Sequence, residues 1–260
     1  MKEISFNLFI IFSIIFFNQN IHAKEFHVAD GRELFLAFSE ASNNVEDDII
    51  YLAAGVYKGE FIFETSEAKS LTLTTEQGLR ADQVVFDGEG MVRPLYFSSE
   101  FAADMAIINI SVRNGKTDGN GGGVYISTAG IVEFHENIIY DNSGNFGGGV
   151  YITKTGLGML TFLNNSVLNN EADNSGGGIH VLVRGNFEID INQNDISKNS
   201  SKNSYGGGIY LNTINQNNIY FYNNNITKNK CRTAGGGIYA IGCNNGEYIT
   251  FKENHISDNI

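Results

Sequence analysis

Long apolar runs are scarce in this sequence, and their scarcity narrows the kind of protein it encodes. One run extends from Leu8 to Phe17, follows a lysine, and is succeeded by a polar stretch that ends at Ala23. This arrangement is typical of a secretory signal peptide, and the run is too short to span a bilayer comfortably. The sequence therefore predicts a signal peptide over residues 1–23, a mature chain over 24–260 and no transmembrane segment after cleavage.

Positive charge and cysteine are also scarce. Lysine and arginine total 17 against 29 acidic residues, so the net charge of −12 argues against a nucleic acid or an anionic membrane as partner. Cys231 and Cys243 are the only cysteines, which suits export but cannot form a disulfide scaffold. Because a predicted strand separates them, the sequence favours two free thiols over a bridge.

Glycine, by contrast, is abundant and stands in a phrase repeated five times. Half of the 30 glycines form triplets followed by Val or Ile and then Tyr or His, at steps of 26–30 residues. The triplets begin at Gly121, Gly147, Gly176, Gly206 and Gly235. A sharp corner needs a positive φ or room for a neighbouring backbone about 4.8 Å away, and glycine supplies both. The triplets are therefore predicted to form the corners of a repeating coil.

A second phrase alternates with the triplets: Asn, any residue, Ile or Val, two residues, Asn. Its clear copies begin at Asn137, Asn165, Asn194, Asn224 and Asn254, and a looser copy begins at Asn109. Asn tolerates the left-handed backbone region, and amides stacked one coil apart can form a hydrogen-bonded ladder. The phrase predicts a second corner, at which the closing residues bond to neighbouring coils: Asn142, Asn170, Asn199 and Asn229.

Between the corners, apolar residues alternate with period two, which gives each copy three short strands with one apolar face each. A copy of this size cannot bury such a face alone, but stacked copies can. The sequence thus predicts an all-β parallel β-helix, a solenoid of three-stranded coils with 26–30 residues per coil. Four phenylalanines, each three residues before an Asn phrase, are expected to stack inside it: Phe134, Phe162, Phe221 and Phe251.

Residues 24–116 lack the two clear phrases. Asp30 is a good N-cap for an amphipathic helix over roughly 31–43. Its apolar side is predicted to contain Leu34, Phe35, Ala37, Phe38 and Ala41. Further strands are expected at 60–64, 70–74, 83–86 and 95–98. This segment is interpreted as a helical cap plus irregular first coils, continuous in one domain with regular repeats over 117–260.

The repeat resembles known proteins. Its glycine triplets and its F-x-x-N motif are similar to the repeats of polymorphic outer membrane proteins, with literal motif matches at Phe134–Asn137, Phe162–Asn165, Phe221–Asn224 and Phe251–Asn254. More widely, the coils and the segment DDIIYLAAGVYKG resemble bacterial right-handed parallel β-helix proteins with the pectin lyase-like fold. The resemblance implies a right-handed solenoid. It does not choose a function, because this fold hosts lyases, hydrolases, esterases, tail spikes and adhesins.

Catalytic residues have only weak candidates. Glu133 and Asp190 occupy outward positions two coils, about 10 Å, apart, with Thr161 between them. That spacing is near the one used by inverting glycosidases, but no Arg or Lys lines up beside the pair, so a solvated face is the favoured interpretation. The sequence also lacks a phosphate loop and a nucleophile elbow.

Metal ligands are equally weak in the sequence. The five histidines show no metal-ligand spacing. Asp118, Glu171 and Asp173 lie among amide oxygens in turns, where hard cations find suitable ligands, so Ca²⁺ is the one cofactor to consider. Acidic residues in turns more often increase solubility than bind a metal ion. We therefore expect no cofactor.

One outward column is a stronger candidate for recognition. The residues that follow the apolar position after each triplet are predicted to point outward on one sheet: Tyr125, Tyr151, His180, Tyr210 and Tyr239. They form either a structural aromatic ladder or a flat stacking platform for sugar rings or a partner protein.

Together these patterns predict an exported, non-enzymatic protein, secreted or on a bacterial outer membrane or cell surface, that recognises a polysaccharide or a host or cell-surface protein. The alternative is a carbohydrate-active enzyme on the same fold, a polysaccharide lyase or a glycoside hydrolase.

Overall fold

The computed structural model describes residues 23–214, 217–242 and 248–260. These residues form a right-handed parallel β-helix of about 7 turns, which confirms the predicted fold class. The predicted signal peptide, except for Ala23, and Cys243 lie outside the described residues, so cleavage and the pairing of the cysteines stay predictions.

The chain winds round three sides. Within the described residues, a 14-stranded sheet covers two of the three sides. It is continuous because the long strands Val150–Leu163 and Ile179–Asn192 run round the corner and belong to both sides. The front side carries the first parts of these two strands together with Phe61–Thr65, Leu95–Ser99, Val124–Thr128, Ile209–Ile214 and Ile238–Ile241. The back side carries their second parts together with Lys24–Val28, Asp48–Leu52, Leu71–Thr75, Met105–Ile108, Val132–His135, Asn217–Tyr222 and Ile249–Lys252.

The third side is an eight-stranded parallel sheet in the described part of the chain. Its strands are Gly55–Lys58, Val84–Asp87, Ser111–Arg113, Ile138–Tyr140, Ser166–Leu168, Asp195–Ser197, Asn225–Thr227 and His255–Ser257. A short four-stranded sheet precedes the glycine triplets, formed by Ser143–Gly144, Glu171–Ala172, Ser200–Ser201 and Lys230–Cys231.

The glycine triplets form tight corners, as the repeat predicts. The first glycine of each triplet has a positive φ, for example +72° at Gly176. The second glycine faces the next coil so closely that a Cβ on Gly177 would lie 2.4 Å from the Gly207 carbonyl oxygen. Glycine is therefore required for two reasons within one triplet: the first position has a left-handed backbone, and the second lies too close to the next coil for a side chain.

Two asparagine ladders run along the interior. After the first asparagine of each ladder, the amide oxygen accepts the backbone and side-chain N–H groups of the asparagine one coil earlier. Asn142, for example, donates both of its groups to Asn170 Oδ1, at 3.1 and 3.0 Å. Each amide nitrogen also donates to a backbone carbonyl, as Asn170 Nδ2 does to Ile139 at 2.9 Å. The closing asparagines thus occupy equivalent buried corners and bond between coils, which confirms the ladder prediction.

The sequence suggested a left-handed backbone at the ladder asparagines, and this was wrong. The left-handed conformation falls on the residue before each of them: φ is +59° at Glu136 and +56° at Asp141. Asn109, with φ +58°, aligns with Glu136, so the looser copy of the phrase is one residue out of register. Ile110 takes the ladder position there and donates its backbone N–H to Asn137 Oδ1 at 3.1 Å.

One continuous apolar core fills the solenoid. Phe134, Phe162 and Phe221 are fully buried in one column, whereas Phe251 is 50% exposed in the last described coil. The interior column is thus confirmed for three of its four members. Phe251 differs because no described strand covers it on the far side, although it stacks on Phe221 at 4.7 Å.

An α-helix over Gly31–Ala41 lies at the N-terminal end, and Asp30 caps it through Oδ1, which accepts the backbone N–H groups of Arg32 and Glu33 at 2.9 Å. Four of the five predicted apolar residues are buried, but Phe35 is 68% exposed, which corrects that part of the prediction. A single 3₁₀ turn, Ala81–Gln83, is the other helical element within the described residues.

Candidate functional site

The predicted aromatic column exists on the front side and is one ring longer than the sequence indicated. Its five predicted members are in register on successive strands, and neighbouring rings stack with centroids 4.5–5.7 Å apart. Tyr96 adds a sixth ring, 4.7 Å from Tyr125. Its coil has no glycine triplet, but the alternation Leu95, Tyr96, Phe97 matches Val124, Tyr125, Ile126 and is the signal that could have found it.

The rings lie face to face along the solenoid axis, with interplanar angles of 4–22°. Their faces are therefore used against one another, and the surface offers ring edges and hydroxyls. Tyr151 and His180 are 8% and 7% exposed, so the column is not the open flat platform that the sequence suggested. A ligand on this side would meet a ridge of edges and polar groups.

Residues from the turns before the triplets flank the column. Phe146 packs edge-on against His180 at 5.2 Å, and Tyr205 stacks on Tyr239 at 4.4 Å. At the other end, the Arg93 guanidinium lies over Tyr96 and Tyr125, 5.1 and 5.3 Å from the ring centroids. These flanking groups were not evident from the repeat, because the turn residues differ from coil to coil.

Burial disfavours charge on the inner rings of the column. Burial lowers the pKa of His180 to about 4, even though the Ser175 carbonyl beside its Nδ1 acts in the opposite direction. Burial raises the pKa of Tyr125, Tyr151 and Tyr210. The polar side chains of Ser127, Asn120 and Asn212 act in the opposite direction on these three hydroxyls, respectively. The ridge is thus a strip of hydrogen-bonding groups on an apolar base.

The two weak catalytic candidates lie where the sequence predicted them. Glu133 and Asp190 lie on the back side, in register with Thr161 between them. Burial, and then the charge of Glu188, raises the pKa of the Asp190 carboxyl, and its Oδ1 has no hydrogen-bond partner among the described residues. Thr161 separates the two carboxylates, as the sequence predicted, and a catalytic role for them stays a prediction.

A mixed-charge cavity of about 490 Å³ lies beside the third side and was not predicted. Its lining includes Asp87, Glu89, Lys116 and Asp141. Burial alone would raise the pKa of Asp87, but bonds from Asn114, the Glu89 backbone and Arg113 outweigh it and hold that pKa below its usual value. Lys58 pairs with Glu89 at 2.8 Å. The two acids nearest the strands are therefore engaged in joining coils rather than free for proton transfer.

The candidate calcium ligands separate into two groups. Glu171 and Asp173 both contact Lys202 Nζ, at 2.6 and 3.2 Å, whereas Asp118 forms no ion pair within the described residues. The ammonium occupies the position between the two carboxylates that a cation would take. Within the described ranges, no group of three His, Cys, Asp or Glu side chains could hold a metal ion.

Lys154 is a buried amine that the sequence did not reveal. It is fully buried at the corner between front and back, in register with Thr128 and Val183. Its Nζ lies 4.7 Å from the centre of the Phe187 ring and has no hydrogen-bond partner among the described residues. Burial lowers the pKa of this amine to about 8.

Comparison with known proteins agrees with the architecture. Residues 104–196 match the family model described as the right handed beta helix region. No curated protein and no solved structure matches the chain. In the parts of the chain that the structure describes, no helix is long and apolar enough to cross a membrane. The chain is thus a right-handed parallel β-helix, and its function is inferred from its surfaces.

Proposed function

We propose that the protein is an exported, non-enzymatic recognition module that binds a polysaccharide or a surface protein along the aromatic column. The observation that carries the proposal is the unbroken stack of six rings, from Tyr96 to Tyr239, on the outward face of one sheet. A row of ring edges one coil apart matches an extended ligand that can contact several coils at once.

The chemistry of the ridge favours polar recognition. Stacking occupies the ring faces, so sugar rings would not lie flat on them. Phenol hydroxyls, with the side chains of Asn120, Ser127 and Asn212 beside them, would instead exchange hydrogen bonds with ligand hydroxyls or with a peptide backbone. Because the stacked rings support one another, these groups are held in place before the ligand arrives, which lowers the entropy that binding must overcome.

The test separates the hydroxyls from the rings. Tyr125→Phe/Tyr210→Phe keeps the stacked rings and removes two phenol hydroxyls. Tyr125→Ser/Tyr210→Ser removes the two rings together with their hydroxyls. Binding to panels of polysaccharides and surface proteins should weaken by about tenfold or more in the Phe variant while the melting temperature is unchanged. Normal binding by both variants, with an earlier melt only in the Ser variant, would assign the column to stability alone.

The same polysaccharide panel tests the enzymatic alternative. Each incubation is also assayed for new reducing ends and for unsaturated products. We expect binding without either product. Release of products by the parent protein, lost in Glu133→Gln or Asp190→Asn, would replace the recognition proposal with a catalytic one.

A further inference from the structure

A second cavity, of about 310 Å³, lies beside the short four-stranded sheet. Strands Ser200–Ser201 and Lys230–Cys231 form its floor on adjacent coils. Lys202 and Arg232, which follow these strands, complete the lining. Three cations and two serines therefore line one hollow, in a chain whose net charge is −12.

Two of these cations are uncommitted. Lys202 pairs with Glu171 and Asp173 on its N-terminal side. Lys230 and Arg232 are exposed and form no ion pair among the described residues. Lys198 and Lys228, at the preceding corner of the same two coils, are also exposed and extend the positive surface.

The fold does not require this charge. The position of Lys230 is occupied by Ser143, Glu171 and Ser200 in the three preceding coils, and all four residues pair in the same register. The side chain can thus be neutral, acidic or basic without changing the backbone. Lys116 aligns with Ser143 nearer the N-terminus, but Asp87, Glu89 and Asp141 line the hollow beside it, whereas Lys202, Lys230 and Arg232 line this one together.

We propose that this hollow binds an oxyanion: a sulfate, a phosphate or a carboxylate. Arginine and lysine supply charge-assisted donors for such a group, and the Ser200 side chain adds a hydroxyl, whereas the buried Ser201 hydroxyl donates to the Asn174 carbonyl. Adjacent coils place the two strands about 4.8 Å apart, so one tetrahedral or planar anion can reach donors from both. The volume also admits the residue that carries the anion, for example one unit of an acidic glycan.

The inference is independent of the aromatic column and concerns a different side of the solenoid. Two sources of the anion are distinguished by probes at low ionic strength: inorganic sulfate, dextran sulfate and uncharged dextran, measured by calorimetry and by ¹H–¹⁵N spectra. Shifts at residues 200–202 and 230–232 with sulfate alone indicate a site for a small ion. Shifts with dextran sulfate only indicate a site for a polymer-borne group. Either result supports the proposal, and binding of neither anion overturns it.

Matched variants exclude a general charge effect. Lys230→Gln/Arg232→Gln should weaken binding of the active probe by about tenfold or more, because two charge-assisted contacts are lost. Lys69→Gln/Lys116→Gln removes the same charge elsewhere and should leave binding within about twofold, since screened charges far from the site act weakly. Equal loss in both pairs, or no loss in the first, would reject the site. Both pairs change exposed or half-exposed side chains, and an unchanged melting temperature verifies their folding.

Discussion

The coils of residues 24–116 and those of 117–260 share three sides and one core, but different interactions hold them together. In the first region, contacts are individual: Phe38 packs edge-on against Phe63 and Phe97 at 5.6 and 5.8 Å, and Arg113 pairs with Asp87 at 2.8 Å. In the second, the same contact recurs from coil to coil, because glycines, asparagines and stacked aromatics stand at equivalent positions.

The difference indicates how well each region tolerates substitutions. A unique contact involves a few side chains, and neighbouring packing can adjust when one changes. A ladder residue bonds to the coil before and the coil after, so its loss affects both interfaces. We therefore expect single substitutions to cost more in the regular coils than in the irregular ones.

The largest effect should come from the second glycine of a triplet. Gly177→Ala would place a Cβ 2.4 Å from the Gly207 carbonyl oxygen and 2.5 Å from Ser200, so two backbones must separate. We expect a loss of at least about 4 kcal/mol in the free energy of unfolding, measured with urea. The matched variant Gly55→Ala, where nothing lies within 4 Å, should change it by less than about 0.5 kcal/mol. Similar losses in the two variants would contradict the close-approach argument.

The asparagine ladder should show the next largest effect. Asn170→Ala leaves both N–H groups of Asn142 and the Ile139 carbonyl without their partner in the buried corner. We expect a loss of about 3 kcal/mol by denaturant unfolding, because several buried polar groups become unsatisfied. Asn43→Ala, at an exposed position after the helix, should cost less than about 0.5 kcal/mol. A cost below 1 kcal/mol at position 170 would mean that water replaces the amide.

His180 should make the regular region sensitive to acid. Its pKa is about 4 in the folded chain and 6.5 in an unfolded one, so the unfolded state binds the proton first. The contribution is fully present above pH 6.5 and falls as the pH drops towards 4, by up to about 3 kcal/mol. His180→Tyr restores the residue found in the neighbouring coils and should flatten this part of the pH–stability profile. An unaltered slope in that variant would assign the acid sensitivity to other groups.

The smallest effect is expected in the helical cap. Asp30→Ala removes the acceptor for the backbone N–H groups of Arg32 and Glu33, and should cost about 1 kcal/mol. Asp30→Asn keeps an acceptor and should recover most of the loss in a thermal melt. If both variants match the parent, the cap is held by the packing of Leu34 and Phe38 alone.

Much of the fold could be predicted because coil length fixes register. Residues that recur at steps of 26–30 must stack if each strand pairs with its equivalent, so the aromatic column and the asparagine ladders follow from spacing. Period-two alternation likewise placed the strands of the first coils to within one residue, such as Phe61–Thr65 and Leu71–Thr75.

What the sequence could not show depends on contacts between non-equivalent residues. The covering of His180 by Phe146 depends on the path of one turn, and the burial of Lys154 depends on Phe187 from the next coil. The cavity beside Asp87 joins the coils of Asp87, Asn114 and Asp141, and the first of these contains neither repeat phrase. The left-handed residues were missed because Glu, Asp, Gln, Lys and Asn all occupy that position, so composition carries no signal there.

The asparagine ladders also have a direction. One side-chain N–H of Asn199 donates to Asn229 Oδ1 in the C-terminal coil at 3.0 Å, and the other donates to the Val167 carbonyl in the N-terminal coil at 2.8 Å. The amide oxygens of the ladders accept from the N-terminal side only, as Asn199 Oδ1 does from Asn170. The amide dipoles therefore add along the axis, as peptide dipoles do in a helix. At the start, Ile110 and Gly115 donate only backbone N–H groups, so each ladder is terminated there. The ladders thus give the solenoid a polarity along its axis that does not depend on its ionised side chains.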